Sequence, residues 1–121
     1  MSSNGFPLPL NVQYNNTAKT WKLLQPFIFV DEVEGPIDVP ARFTTNGLTL
    51  PRVPLVLAMF DNYGFPAAVV HDYLYDASGV GRKEADQVFY RALRASGVAR
   101  WRAGLMYAGV RLFGRFYYKE R

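Results

Sequence analysis

A chain of 121 residues, half of them apolar and 16% aromatic, can bury a core without disulfides or a structural metal and is too hydrophobic for a disordered segment. The absence of cysteine excludes a disulfide framework, thiol catalysis and cysteine-ligated metals, and fits a reducing cytoplasm. The net charge of +4 is unevenly placed: residues 1–78 hold 4 basic and 7 acidic side chains, residues 79–121 hold 10 basic and 3 acidic. Such a distribution suits either an anionic partner for the C-terminal helices or, as charged helix faces ordinarily are, a solvated surface.

The start, Met1 to Leu10, has neither a basic segment nor an apolar stretch of signal-peptide length. No run approaches the roughly 20 apolar residues of a membrane-spanning helix. Residues 1–46 are expected to be an extended arm followed by a β-meander. Leu10–Tyr14, Trp21–Asp31 and Ile37–Thr45 are rich in β-branched and aromatic residues, and Asn15-Asn16, Glu34-Gly35-Pro36 and Asn46-Gly47 punctuate them as turns. Pro26, Pro36 and Pro40 cannot donate to a ladder, which predicts edge or interrupted strands and a small sheet. Gly5 through Val12 carries no charge, so its apolar residues are expected to dock on a neighbouring molecule by strand addition.

Residues 51–118 are expected to be helical, in three or four helices. A short helix near Pro54–Phe60 precedes the turn Asp61-Asn62-Tyr63-Gly64, and Pro66 suits the first turn of a helix over Phe65–Ala77. Ser78-Gly79 ends that helix. A further helix over Arg82–Ala95 places Ala85, Val88, Phe89, Ala92 and Leu93 on one stripe, with Lys83, Gln87, Arg91 and Arg94 opposite, and Gly97 terminates it. The last helix, about Ala99–Tyr118, carries Trp101, Leu105, Ala108, Leu112 and Phe116 on one face and Arg100, Tyr107, Arg111, Arg115 and Tyr118 on another. The expected fold is a single α+β domain, strands first and helices after.

One position concentrates chemistry. His71 is the sole histidine and lies on an otherwise apolar helix, with Asp72 about 100° around from it. Asp86 stands at the margin of the apolar stripe of the next helix, where a carboxylate is costly without a polar partner. Antiparallel packing across the short Ser78–Gly81 connection would bring Asp86 to His71. A carboxylate on one imidazole nitrogen fixes the tautomer and leaves the other as a general base. Asp72 could then ligate a hard cation such as calcium. The plainer alternative is a buried His71–Asp86 pair that locks two helices, with Arg82 pairing Asp86 at i,i+4.

The motif Val39-Pro40-Ala41-Arg42-Phe43-Thr44-Thr45-Asn46-Gly47-Leu48-Thr49-Leu50-Pro51 is followed by His71-Asp72-Tyr73-Leu74-Tyr75, Ala85-Asp86-Gln87-Val88-Phe89 and Arg102-Ala103-Gly104-Leu105-Met106-Tyr107. Together these resemble a phage-borne domain family of unknown function, over about two thirds of the chain. The resemblance implies a bacteriophage or prophage origin. Asn46 stands where that family's pattern has aspartate, which removes the negative charge a metal or proton role there would use. More narrowly, His71-Asp72 followed by Tyr75, with Asp86 on the next helix, is similar to the catalytic helices of calcium-dependent secretory phospholipases. That similarity implies His71 as general base, Asp72 as calcium ligand and Asp86 as the group orienting His71, with Tyr75 in the same catalytic set. The cysteines and the glycine-rich calcium loop of those enzymes are missing here.

These features lead to the expectation of a phage virion-associated subunit of head, neck or tail, made in the host cytoplasm, carrying a hydrolase-like helical pair. The alternative is a working metal-dependent hydrolase acting on phospholipid or cell envelope. Expected partners are other virion proteins or copies of the chain itself, through the N-terminal arm and the last helix. Arg100, Arg111 and Arg115 are the candidates for an anionic partner. A membrane surface is a further candidate for the last helix, with Trp101 and Phe116 inserted. Nucleic acid is disfavoured, because no recognised binding motif accompanies the arginines.

Overall fold

The structure, a computed structural model, describes residues 5–45, 64–77 and 80–113. Five short strands precede three helices: β1 (Val12–Asn15), β2 (Thr20–Leu23), β3 (Phe27–Asp31), β4 (Gly35–Val39), β5 (Thr44–Thr45), α1 (Phe65–Ala77), α2 (Arg82–Ala95) and α3 (Arg100–Phe113). This is the α+β order expected, and α1 and α2 have the predicted bounds. The expected helix near Pro54–Phe60, the Ser78-Gly79 stop and the chain beyond Phe113 lie outside the described residues.

The strands are antiparallel but divide into two sheets, β1-β2-β5 and β3-β4. The predicted strand over Trp21–Asp31 is therefore two strands in different sheets, broken before β3 at Pro26. The one over Ile37–Thr45 is likewise broken by residues 40–43, where Arg42 adopts a positive φ of 76°. Prolines end ladders because they offer no N–H. The exception is Pro36, inside β4 opposite Val30. The Val30 N–H donates away from β4, to the Gly5 carbonyl at 2.7 Å. Val30 and Pro36 therefore form a non-hydrogen-bonded pair, and the missing N–H of Pro36 costs no rung.

Asparagine and aspartate close the two hairpins. Asn15 Oδ1 accepts the N–H groups of Thr17 and Ala18, each at 2.9 Å. Asp31 Oδ2 accepts those of Val33 at 3.1 Å and Glu34 at 2.8 Å, and Gly35 then takes a φ of 83° that a side chain would resist.

Along β3 and β4 the side chains alternate, with Phe27, Phe29, Ile37 and Val39 inward. They share one core with Val69, Val70 and Leu74 of α1, Val88, Phe89 and Leu93 of α2, and Met106 and Val110 of α3. Each such side chain contributes about 1.5–3 kcal/mol on burial, so apolar packing holds the layers and polar contacts set their register. Helix α2 lies between α1 and α3 and also touches β3, while α1 touches β4 and β5. Gly97, with a φ of 96°, ends α2 as predicted, and the Val98 N–H reaches back to the Leu93 carbonyl at 3.0 Å.

One expectation about surfaces is corrected. The buried stripe of α3 is Ala103, Met106 and Val110, and neither predicted face is the packed one. Trp101 (64% exposed), Leu105 (43%) and Leu112 (67%) stand outward. The N-terminal arm begins to bury itself on its own chain, with the Phe6 ring stacked on Phe27 at 5.5 Å and beside Phe29 at 4.8 Å. Of its apolar run, Pro7, Leu8 and Pro9 are left exposed. Among the described residues no helix is long and apolar enough to cross a membrane.

Candidate functional site

The site forms where α1, α2 and α3 meet. His71 faces α2 because it shares the inward side of α1 with Ala67, Ala68, Leu74 and Tyr75, all buried. Asp86, one turn into α2, is fully enclosed. His71 Nε2 lies 2.7 Å from Asp86 Oδ1, and the Tyr75 hydroxyl donates to the same oxygen at 2.5 Å. The antiparallel pairing of the two helices thus delivers the contact that spacing suggested. Since His71 and Tyr75 are four residues apart, one helix face supplies both groups.

The other carboxylate oxygen belongs to α3. Arg111 Nη1 donates to Asp86 Oδ2 at 2.9 Å, and Arg82 Nη1 stands 3.6 Å from it, the i,i+4 neighbour anticipated. Arg82 also donates to the carbonyls of Val110 and Arg111, each at 3.3 Å. The start of α2 and the end of α3 are therefore tied reciprocally, each arginine using the other helix's acceptors. The ring of His71 is flanked by Tyr75 at 4.1 Å and Phe89 at 4.7 Å.

Burial alone would push the Asp86 carboxyl up. The hydrogen bonds from His71 and Tyr75, the charge of His71 and the hydrogen bond from Arg111 outweigh burial and hold it below its ordinary value. Burial, reinforced by the adjoining Asp86 carboxylate, pushes the Tyr75 hydroxyl far up, so it remains a donor. An ionised carboxylate only accepts hydrogen bonds, so His71 must carry a proton on Nε2. The lone pair of neutral His71 then resides on Nδ1.

His71, Asp86 and Tyr75 are thus brought together as expected, while Asp72 stands half-buried on α1 away from that contact. Among the described residues no group of three or more histidines and carboxylates gathers that could hold a metal. Those donors do not assemble a calcium site around Asp72. Asn46 and most of the Asp61–Gly64 turn lie outside the described residues.

Of the predicted arginine trio, Arg100 and Arg111 stand apart on α3. Arg111 donates to Asp86 through Nη1, so that arm of its guanidinium is held within the chain. Arg100 lines a cleft at the other end of α2, and Arg115 lies outside the described residues. Sequence reasoning missed Arg111 as part of the site and missed altogether a second ion pair on a buried carboxylate. Arg91, placed on the solvent side of α2, instead grips buried Asp31 of β3 through Nε at 2.7 Å and Nη2 at 3.0 Å. The signal available for that pair was an aspartate in an inward-facing register of an alternating strand.

The chain is 27% identical over 96 residues to the uncharacterised protein y4jT of Sinorhizobium fredii. That match covers 78% of this chain and 29% of the relative, so the chain corresponds to less than a third of that protein's length. No solved structure matches it. A family model described as a protein of unknown function, DUF1353, matches residues 21–110, which runs from within β2 through most of α3 and takes in His71, Tyr75, Arg82 and Asp86 but stops just short of Arg111, and the chain belongs to that family.

Proposed function

We propose that this chain is a phage-encoded hydrolase in which His71 is the general base, acting on an ester or cell-envelope bond. The observation that carries the reading is the 2.7 Å contact from His71 Nε2 to an enclosed Asp86, whose two oxygens are also held by Tyr75 and Arg111. Nδ1 takes a proton from a water as that water's oxygen bonds to the substrate carbonyl carbon. The imidazolium formed is stabilised by Asp86 and returns the proton to the leaving oxygen. Tyr75 and Arg111 are positioning residues: they fix the carboxylate so that the imidazole keeps one tautomer and one orientation. Arg111 also shares the charge of Asp86, which keeps the carboxylate ionised in a buried setting. The phage setting rests on the spaced motifs.

The test is hydrolysis of a short-chain aryl ester, phospholipid vesicles and cell-wall material by the wild type, His71→Ala and Asp86→Asn. The proposal expects turnover of at least one substrate, abolished in His71→Ala and reduced roughly 10²–10⁴-fold in Asp86→Asn. Wild-type turnover that survives in His71→Ala would remove His71 from the mechanism.

A second reading, a structural subunit of a virion, is favoured by two observations: His71 is buried, only 2% exposed, as a residue that locks two helices can be, and α3 carries an exposed apolar face. Trp101, Leu105, Ala108 and Leu112 form an exposed apolar stripe along α3, of the kind that other virion proteins or copies of the chain would cover. Absence of turnover on every substrate, with loss of assembly in Trp101→Glu, would establish that role instead.

A further inference from the structure

At the end of α2 remote from Asp86, a cleft of about 700 Å³ opens between the β3–β4 hairpin, α2 and the start of α3. Arg91, Arg94 and Arg100 line it, together with Glu32, Val30 and Tyr90. Two of the three guanidinium groups are already held. Arg91 spends Nε and Nη2 on Asp31 and keeps the donors of Nη1. Arg94 spends Nη1 on the Val98 carbonyl at 2.6 Å and keeps those of Nε and Nη2. A ligand that meets ordered arginines loses less freedom in binding than one that must immobilise them. Arg100 is exposed and opens α3, so the positive end of that helix adds to its field. The opposing dipole of α2 is blunted, because the carbonyls of Ala92, Leu93 and Arg94 accept the N–H groups of Ser96, Val98 and Gly97.

We propose that this cleft binds a phosphate group. Three arginines against Asp31 and Glu32 leave the lining with an excess of one positive charge, enough for an anion of low charge and too little for a polyanion. A carboxylate offers two oxygens in one plane, and a single arginine fork satisfies it, as Arg91 satisfies Asp31. A phosphate offers three or four oxygens in a tetrahedron, which matches donors arriving from three side chains on two helices. Tyr90 and the 45% exposed Val30 supply apolar surface for the organic group that carries the phosphate. The site is independent of the role assigned to His71.

The experiment titrates inorganic phosphate and then glycerol phosphate into the full chain at fixed ionic strength. Calorimetry and amide chemical shifts are followed for the wild type, Arg100→Glu and Lys22→Glu. Lys22 is exposed on β2, so its variant makes the same charge change elsewhere. The expected result is saturable binding with shifts confined to the cleft, about tenfold weaker in Arg100→Glu and unaltered in Lys22→Glu. No saturable binding, or equal weakening in both variants, would overturn the proposal. Phosphatidylglycerol vesicles in a parallel arm separate the sources of the group. Sedimentation with vesicles that glycerol phosphate competes away assigns a lipid headgroup, and binding of glycerol phosphate without vesicle binding assigns a soluble ester.

Discussion

Asp31 and Asp86 are both buried carboxylates facing an arginine, and both are held below their ordinary pKa against burial that pushes them up. Their remaining donors differ. Asp31 takes two backbone N–H groups of its own hairpin, so it closes a turn and fastens that turn to α2. Asp86 takes an imidazole and a phenol from a neighbouring helix, groups that can move or hold a proton. Backbone donors tie a carboxylate to a turn, whereas a histidine donor sets beside the same burial a group able to carry a proton. The comparison can be broken at either carboxylate.

The largest effect is expected from Asp86→Ala, which leaves His71, Tyr75 and Arg111 facing a void. Urea denaturation should register a loss of about 3–5 kcal/mol. Asp31→Ala should cost less, about 2–3 kcal/mol by the same measurement, because the partly exposed Arg91 can be rehydrated; any hydrolysis should persist in it. Equal losses of activity in the two variants would erase the distinction between them.

Acid should act on both carboxylates together. Their folded pKa values are depressed, so their stabilisation is complete above the unfolded value, near 3.8, and is lost as pH falls through the folded values. Denaturation midpoints measured between pH 7 and pH 2 should therefore drop below about pH 4, and Asp86→Asn should flatten that dependence. Tyr75→Phe removes one hydrogen bond to a carboxylate that keeps its other partners. It should cost about 1.5 kcal/mol and move the acid transition of Asp86 upward. Leu112→Ser, on the exposed face of α3, should change stability by no more than about 0.5 kcal/mol.

How much of this was legible depended on the distance over which each signal acts. A lone histidine in an apolar helical stripe and a carboxylate at the edge of the next stripe, joined by a short connection, left little choice but to meet. Helix bounds were readable because Pro66 and Gly97 act locally. The division of the strands into two sheets was less so, since the breaks before β3 and after β4 had to be told from pauses within one strand. Periodicity could not say which face of α3 is buried, because the 101-105-108-112 and 103-106-110 stripes are both apolar. Nor could the charge of Arg111 disclose that its partner lies 25 positions earlier. Asp31 and Arg91, 60 residues apart, meet only because α2 lies against β3.

The central claim is that an ionised Asp86 fixes the proton of His71 on Nε2 and leaves Nδ1 as the base. Since His71 is the sole histidine, a nitrogen-15 correlation spectrum of the untagged protein at pH 8 reports it without overlap. The account predicts a protonated Nε2 and an unprotonated Nδ1, with that pattern lost in Asp86→Asn. A proton found on Nδ1 and not on Nε2 would contradict it.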